Sequence, residues 1–280
     1  MAFNFITAEE AAQFVHHNDN VGFSGFTAAG TPKVVPVAIA QRAEAEHAAG
    51  RPFQIGVYTG ASTSDYVDGA LTRAKAIRSR TPYQSHKDTR AAVNSNEIAY
   101  FDMHLSHLAQ NLRYGFLGKV NVAIVEATEV TPNGEILLGN GVGATPTFCA
   151  LADKIIIELN HHDPKELRGM HDIYQPLDPP YRREIPIYKP SDRIGAPIIK
   201  VDPKKIVGIV ESDKLDGVKP FTPADETTMK IGNNVCDFLV SQLKAGLIPP
   251  QFLPLQSGVG NIANAVLGSL GSNPDIPAFE

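Results

Sequence analysis

The sequence is poor in cysteine and has neither long apolar runs nor an excess of positive charge. Only Cys149 and Cys236 occur among 280 residues, without metal-ligand spacing, which favours reduced thiols and a cytoplasmic protein. No apolar stretch approaches the roughly 18 residues that a membrane-spanning helix needs, and no secretory signal is visible at the start. The formal net charge of -5 argues against a nucleic acid partner, although a local basic patch could still bind a phosphorylated ligand.

Several familiar catalytic motifs are also absent. The glycine-rich segment 22–33, GFSGFTAAGTPK, has the spacing of neither a Walker A loop nor a Rossmann fingerprint, and no serine lies in a Gly-x-Ser-x-Gly turn. Segment 139–146 contains Gly-x-Gly-x-Gly without an acidic residue at the ribose-binding distance, and we interpret it as a structural turn. His104 and His107 could share a helix face, but no His-Glu-x-x-His pattern accompanies them, so we expect no metal site.

The sequence does contain a regular alternation of strand-like and helix-like segments. Buried strands are predicted at 21–26, 53–60, 97–106, 120–130 and 155–160. This order predicts an α/β fold with an open, helix-covered, mostly parallel sheet. A polar stretch rich in glycine and proline follows residue 212, so we predict one domain over 1–219 and the beginning of another over 220–280.

Segment 253–270, LPLQSGVGNIANAVLGSL, is predicted to form a strand, a glycine turn and a helix. Several backbone N–H groups would converge between Ser257 and Gly260, where glycine lets a ligand approach closely. Because Asn261 would start the helix, its positive end favours an anion or a developing oxyanion. An ordinary tight turn with an asparagine cap explains the same residues equally well, so both interpretations stay open here.

Eight segments of the chain share one resemblance. They are GFTAAGTPK, RTPYQS, YFDMHLS, VAIVEATEVTPNGEI, TPTFCALADKIIIELN, GMHDIY, DRIGAPIIKVDPKKIVGIVE and LQSGVGNIANAV. In this order they resemble the acetyl-CoA hydrolase/transferase family, and within it the class I carboxylate CoA-transferases of the succinyl-CoA:acetate type. The resemblance extends over essentially the whole chain and implies two similar α/β domains in a homodimer, of which 220–280 would be only the first part of the second.

The resemblance also implies a reaction. CoA would pass between an acyl-CoA and a small carboxylate such as acetate or succinate, with the CoA thioester as a substrate and no tightly bound cofactor. A glutamate would attack the thioester, giving an acyl-glutamyl anhydride and then a glutamyl-CoA thioester, which is covalent ping-pong catalysis. Each step passes through an oxyanion and therefore needs preorganised N–H donors.

Residue roles follow from the same resemblance. The Val259 N–H would be an oxyanion donor, and the carboxylate pocket would be lined by Ser62 and Thr81. The predicted CoA contacts are Gly258, Val259, Gly260, Asn261 and Ile262. Glu280 lies too close to Val259 to be the family's nucleophile, so we expect that glutamate just beyond Glu280 and expect these 280 residues to be inactive alone.

Three other interpretations remain. An acyl-CoA hydrolase, acting for example on acetyl-CoA, would admit water where a transferase admits a carboxylate. A non-catalytic α/β module could sense a small acid, an analogy that rests on the fold alone. A sugar-phosphate isomerase on a similar fold would need an acid–base pair, for which the sequence offers no clear candidate.

Overall fold

The computed structural model describes residues 3–218, 222–250, 255–258 and 260–276 of the chain. Packing divides the chain into two compact units, Met1–Ile185 with Ile194–Val218 and Pro186–Arg193 with Lys219–Glu280. The first unit carries a β-sheet, whereas the second, as far as it is described, carries a pair of long helices. The prediction of two similar domains, 1–219 and 220–280, therefore stays a prediction.

Nine strands form the sheet within the described part of the first unit. They are β1 Asn20–Phe23, β2 Ile55–Tyr58, β3 Ile77–Thr81, β4 Ala99–Tyr100, β5 Val122–Val130, β6 Glu135–Leu138, β7 Lys154–Asn160, β8 Ile199–Lys200 and β9 Ile206–Ser212. The α-helices of this unit are α1 Ala8–Ala12, α2 Val35–Ala48, α3 Ala70–Arg73, α4 Lys87–Asn94, α5 Leu105–Arg113 and α6 Thr145–Leu151. A π-helical turn, Asp65–Gly69, leads directly into α3.

The parallel strands lie in the order β4–β3–β2–β1–β5–β7–β9. β6 pairs antiparallel with the end of β5, and β8 pairs antiparallel with β6. The strand order changes direction at β1. The strands β2, β3 and β4 extend the sheet on one side of β1, and β5, β7 and β9 extend it on the other. The predicted α/β fold with an open, helix-covered, mostly parallel sheet is confirmed.

Apolar side chains cover both faces of the central strands. Along β5, Val122 and Ile124 pack in one core with α1 and α2, while Ala123 and Val125 pack in another with α5 and α6. Successive residues of a strand point to opposite faces, so a strand that is apolar throughout needs cover on both sides. The runs predicted as buried strands at 120–130 and 155–160 are confirmed at the centre of the sheet.

The strand predicted over 97–106 is wrong in its length. Only Ala99 and Tyr100 pair with β3, at the edge of the sheet, and α5 already begins at Leu105. Asp102 follows the pairing residues, and aspartate is disfavoured in strands. An edge position with one neighbouring strand offers too few contacts to extend the pairing through such a residue.

The second unit is built on α7 (Glu226–Lys244) and α8 (Asn261–Ser272). The Asp225 side chain caps α7 by accepting from the Thr228 N–H at 2.7 Å. A Cβ at Gly232 would lie 2.7 Å from the Ala265 carbonyl oxygen, so glycine allows the two helices to approach closely. Residues 255–258, the described end of the strand predicted before α8, have no regular secondary structure.

Among the described residues, no helix combines the length and the apolar character needed to cross a bilayer.

Candidate active site

Three loops meet at the carboxyl edge of the sheet, next to β1, where the strand order changes direction. Residues 24–33 follow β1, residues 59–64 follow β2, and residues 139–144 follow β6; we call them the edge loops. Ligand sites of open α/β sheets lie at the carboxyl ends of strands, where neighbouring strands continue in opposite directions. β1, between β2 and β5, is such a point in this sheet.

The edge loops are held to one another by their backbones. The Thr27 N–H donates to the Ala61 carbonyl at 3.2 Å, and the Thr63 N–H donates to the Thr27 carbonyl at 2.9 Å. Gly30 has a φ of +66°, and a Cβ there would lie 2.6 Å from the Gly141 nitrogen. Glycine is therefore required where the first and third loops touch, in agreement with the interpretation of 139–146 as a structural turn.

A buried lysine lies at the end of the first edge loop. The Lys33 ammonium contacts Oε2 of Glu126, lies 3.0 Å from Oδ1 of Asp216, and donates to the Thr31 carbonyl at 3.0 Å. The side chains of Lys33 and Glu126 are fully buried. Because these partners come from the loop after β1, from β5 and from the segment after β9, the lysine ties three parts of the carboxyl edge together. We call this group, with Asp163, the lysine cluster.

Asp216 extends this cluster to two of the edge loops. Its Oδ1 accepts from the Gly30 N–H at 3.1 Å, and its Oδ2 accepts from the Asn140 side chain at 3.1 Å. The Ser24 hydroxyl donates to the Gly30 carbonyl and accepts from the Glu126 N–H, both at 2.9 Å. Gly30 is thus held from both of its backbone polar groups.

Glu158 occupies the N-terminus of α2. Its carboxylate accepts from the backbone N–H groups of Lys33 at 2.6 Å, Val34 at 3.0 Å and Val35 at 3.1 Å. Val34, the N-cap residue, offers no side-chain cap, so a carboxylate from β7 satisfies the free donors of the first turn. Burial raises the pKa of Glu158, and the three N–H groups act in the opposite direction.

The lysine cluster has more carboxyl groups than cations. Burial raises the pKa of Glu126 to about 8, although the Lys33 ammonium acts in the opposite direction. Burial and then the Asp216 charge raise the pKa of Asp163, while a hydrogen bond from Glu126 lowers it. Burial alone would lower the pKa of Lys33, but the Glu126 and Asp216 carboxylates outweigh it and raise that pKa. The Glu126 carboxyl therefore holds its proton to a higher pH than an exposed glutamate does.

Two carboxyl oxygen atoms of the lysine cluster lack a hydrogen-bond partner within the described residues. Glu126 Oε1 and Asp163 Oδ2 are buried and face no N–H or hydroxyl donor within the described residues. A Cβ at Gly139 would lie 2.5 Å from the Asp163 oxygen and 3.2 Å from the Glu126 oxygen, so both atoms face the same point. A proton on either of these two oxygens would let it donate to the other.

A second buried cation, Arg80, lies at the end of β3. Its Nε donates to Asp68 Oδ1 at 2.8 Å, its Nη1 to the Thr81 carbonyl at 2.9 Å, and its Nη2 to the Ser62 carbonyl at 2.9 Å. The side chains of Arg80 and Asp68 are both fully buried. One guanidinium thus contacts the backbone of both residues predicted to line a carboxylate pocket. We call Arg80 and Asp68 the arginine pair.

The hydroxyl groups of these two residues differ. Ser62 is 1% exposed, and its Oγ has no hydrogen-bond partner within the described residues. The Thr81 hydroxyl donates to the Phe101 carbonyl at 2.5 Å. Since each hydroxyl has a single proton to donate, Ser62 rather than Thr81 holds a free donor in this arrangement.

The predicted CoA-binding turn lies in the second unit. Gly258, Gly260 and Asn261 are exposed, and Ile262 is 52% exposed. Gly260 has a φ of 139° and caps α8 without a side-chain hydrogen bond, and the Asn264 N–H donates to its carbonyl at 3.0 Å. Asn261 is therefore the first helical residue and not the cap. Val259 and Glu280 lie outside the described residues, so the predicted oxyanion donor stays a prediction.

One set of potential metal ligands occurs in the described ranges, and it consists of Asp65, His86 and Asp88. Arg73 donates to Asp65 at 2.8 Å and to Asp88 at 3.0 Å, so both aspartates already pair with a cation of the protein. It is a surface ion-pair network. His104 precedes α5, where its ring contacts that of His107 edge-on with centroids 5.4 Å apart.

Sequence reasoning missed the lysine cluster. Lys33, Glu126 and Glu158 all lie in segments that the resemblance covers, but no role was predicted for any of them. A signal was available, because Glu126 and Glu158 interrupt runs of β-branched residues predicted to be buried strands. A carboxylate at such a position is rare unless it is paired, so each of them predicts a buried partner.

The family model for the acetyl-CoA hydrolase/transferase N-terminal domain matches residues 3–211. The chain belongs to the acetyl-CoA hydrolase/transferase family. A propanoyl-CoA:succinate CoA transferase of Escherichia coli is 46% identical over 275 residues, which are 98% of this chain and 56% of that protein. The succinyl-CoA:acetate CoA-transferase of Clostridium kluyveri is 40% identical over 95% of this chain and 49% of that protein. An acetyl-CoA hydrolase of Schizosaccharomyces pombe is also 40% identical, over 93% of this chain and 51% of that protein.

These relatives confirm the resemblance and place the chain in a family of enzymes. The chain spans about half the length of the curated relatives it matches. RipA from Yersinia pestis has a similar fold, with a TM-score of 0.67 and 19% identity over 98% of this chain and 55% of RipA. Glutaconate CoA-transferase from Acidaminococcus fermentans aligns with a TM-score of 0.51 and 13% identity over 96% of this chain and 93% of its own. At such low identity the two structures show the fold alone.

Proposed function

We propose that this chain forms the N-terminal part of an enzyme that transfers CoA between an acyl-CoA and a small carboxylate of the acetate or succinate type. The observation that carries the proposal for the first unit is the buried Ser62 hydroxyl, which has no partner in the described residues and lies at the carboxyl edge of the sheet. A buried hydroxyl without a partner is costly, and a carboxylate oxygen would satisfy it. Relatives named as CoA-transferases support this choice of ligand.

The proposed chemistry is covalent. A glutamate carboxylate attacks the acyl-CoA thioester, which releases CoA thiolate and leaves an acyl-glutamyl anhydride. The thiolate then attacks the glutamyl carbonyl, so the enzyme holds a glutamyl-CoA thioester and the first carboxylate departs; the second carboxylate reverses both steps. We propose that this glutamate is supplied from outside these 280 residues, beyond Glu280.

We assign the glycine turn before α8 to CoA and to the oxyanion. The exposed Gly258, Gly260 and Asn261 leave the backbone accessible, and a Cβ at either glycine would meet nothing within 4 Å. In this proposal the Val259 N–H donates to the oxyanion, while Ile262 contacts CoA. In this proposal the reaction requires neither a tightly bound cofactor nor a metal. We propose that the protein is a cytoplasmic homodimer. Light scattering would measure the mass of that assembly.

The test is acyl exchange from succinyl-CoA to labelled acetate. We expect no exchange by the 280-residue chain and robust exchange by a protein that spans the full length of the relatives. In that longer protein, intact mass after incubation with acyl-CoA should show a CoA-sized adduct on a glutamate beyond residue 280. Robust turnover by the 280-residue chain would overturn the placement of the nucleophile beyond Glu280. Glu280 itself would then be the candidate nucleophile.

Hydrolysis is the second candidate, because relatives named acetyl-CoA hydrolases match the chain about as well. The two activities differ in their acceptor, which is water in one case and a carboxylate in the other. Release of free CoA from acetyl-CoA without an added carboxylate would favour hydrolysis. A rate of CoA loss that depends on acetate or succinate, with formation of the second acyl-CoA, would favour transfer.

A further inference from the structure

We propose that Arg80 is the positioning residue of the carboxylate pocket, holding the backbone of Ser62 so that its hydroxyl points to the bound carboxylate. This inference rests on the proposed function, because it takes Ser62 as a ligand for a carboxylate. In this proposal Arg80 acts through Ser62, because each of its three nitrogen atoms donates to a protein oxygen and one of these is the Ser62 carbonyl.

The Ser62 backbone is held from several directions. Its carbonyl oxygen accepts from Nη2 of Arg80 and from the Thr59 hydroxyl, both at 2.9 Å. Two residues later, the Ser64 N–H donates to Asp68 Oδ2 at 3.1 Å, while Asp68 Oδ1 accepts from Arg80. The arginine pair therefore holds the loop on both sides of Thr63, while the Ser62 hydroxyl has no hydrogen-bond partner among the residues that the structure describes.

The same guanidinium fixes the neighbouring strand end. Nη1 of Arg80 donates to the Thr81 carbonyl, and the Thr81 hydroxyl donates to the Phe101 carbonyl. Arg80 lies in register with Val57 of β2 and Tyr100 of β4, so its backbone belongs to the rigid sheet. The guanidinium transmits that rigidity to the loop that carries Ser62.

Arginine suits this role better than lysine does. Its five N–H donors lie in one plane, so a single side chain can bind a carboxylate and two carbonyls in fixed directions. A lysine would keep the positive charge beside Asp68 but has one nitrogen on a flexible stem. The Arg80→Lys substitution therefore separates the geometry from the charge.

The experiment measures binding of acetate and of succinate to the 280-residue chain by ligand-observed NMR, with acetamide as a neutral control ligand. Wild type, Ser62→Ala, Arg80→Lys and the double variant are compared, and Arg90→Lys on the exposed face of α4 serves as the matched control. Thr59→Val removes the other donor to the Ser62 carbonyl and is a milder second variant should Arg80→Lys lose its fold by circular dichroism.

We expect wild type and Arg90→Lys to bind acetate equally and acetamide far more weakly. Ser62→Ala and Arg80→Lys should each weaken acetate binding about tenfold, the loss of roughly one hydrogen bond. If Arg80 acts through Ser62, the double variant binds no more weakly than Ser62→Ala. Thr59→Val should weaken binding less than Arg80→Lys.

Three results would overturn different parts of the argument. Absence of acetate binding by wild type would overturn the carboxylate pocket and the inference that rests on it. Normal binding by Ser62→Ala would remove Ser62 from the pocket. Loss in Ser62→Ala together with normal binding by a folded Arg80→Lys would leave the proposed function intact and overturn the role of Arg80 alone.

Discussion

The described part of the first unit buries two cations, Lys33 and Arg80, at the carboxyl edge of one sheet, and their surroundings differ. Arg80 meets one buried carboxylate, Asp68, and uses its remaining contacts on backbone carbonyls. Lys33 lies among several carboxyl groups, of which Glu126 has a pKa raised to about 8. A one-to-one pair is neutral with both partners charged, whereas an excess of carboxyl groups is tolerated only when one of them keeps a proton. The contribution of the lysine cluster to stability should therefore depend on pH near neutrality.

The largest effect is expected when the arginine pair is broken. Arg80→Met leaves the Asp68 carboxylate buried without its cation and two carbonyls without a donor. Loss of one partner of a buried ion pair costs about 3–5 kcal/mol, so the free energy of unfolding should fall by that amount. Urea denaturation measures it, with Arg90→Met as the exposed control. A loss below about 1 kcal/mol would show that the pair does not stabilise the fold.

Removal of the Lys33 cation should lower the free energy of unfolding by less than removal of Arg80 does, and the loss should depend on pH. In folded Lys33→Met the buried Glu126 carboxyl can keep its proton above pH 4.5. In the unfolded chain the same carboxyl has its ordinary pKa near 4.5 and has lost that proton. The native state then binds more protons than the unfolded state, so stability falls as the pH rises. We expect a loss of about 1–2 kcal/mol at pH 5 and about 3 kcal/mol at pH 8, the latter at the low end for a broken buried pair.

Urea denaturation at both pH values measures the dependence for Lys33→Met. Lys87→Met, on the exposed face of α4, is the control. Equal losses at pH 5 and pH 8 would contradict the excess of carboxyl groups around Lys33.

Glu126→Gln tests the retained proton directly. The folded pKa of about 8 lies above the ordinary glutamate value of 4.5, so the wild-type contribution of Glu126 to stability is complete below pH 4.5 and is lost as the pH rises to 8. Glutamine keeps a donor toward Asp163 and does not titrate. The variant should therefore gain stability relative to wild type over this pH range, by at most about 1.4 kcal/mol per pH unit.

Glu158→Gln is the matched control for that experiment. Glu158 accepts from three N–H groups with both oxygens, and glutamine would replace one acceptor by a donor. We expect a loss of about 1–3 kcal/mol, because one N–H group at the start of α2 would then face a donor. A Glu158→Gln variant as stable as wild type would contradict the role of this carboxylate as the acceptor for those N–H groups.

The smallest effect is expected at the surface. Lys119 Nζ lies 2.6 Å from Asp153 Oδ2, but these side chains are 64% and 47% exposed. A double-mutant cycle with alanine should give a coupling of about 0.2–1 kcal/mol, and salt should reduce it further. A coupling energy as large as that of a buried pair would show that burial does not explain why interior ion pairs stabilise the protein more than surface pairs do.

The centre of the sheet was predictable because its signal is local. The β-branched runs of β5 and β7 are long, and their apolar residues require cover on both faces. β4 was predicted too long, because neighbouring strands and not the residues alone determine how far an edge strand pairs. The resemblance named Ser62 and Thr81, but only the structure distinguishes the free hydroxyl of one from the bonded hydroxyl of the other.

The lysine cluster was not predictable in detail. Lys33 and Glu126 are 93 residues apart in the chain, and no spacing rule connects them. Their contact depends on β1 and β5 being neighbours, which follows from the order of strands in the sheet. The same holds for Asp216, which reaches Gly30 across 186 residues. Without the strand order, the sequence can indicate that a buried carboxylate has a partner but not which residue it is.

The contact between the first and third edge loops limits how this site can change over evolution. A Cβ at Gly30 or at Gly141 would lie within 2.6 Å of the opposite backbone, so neither loop can gain a side chain there without displacing the other. For the proposed CoA transfer, variation in acyl preference is therefore expected at loop positions that face outward, such as Phe26, which is 50% exposed. A library for altered acyl preference should keep both glycines and diversify Phe26 first.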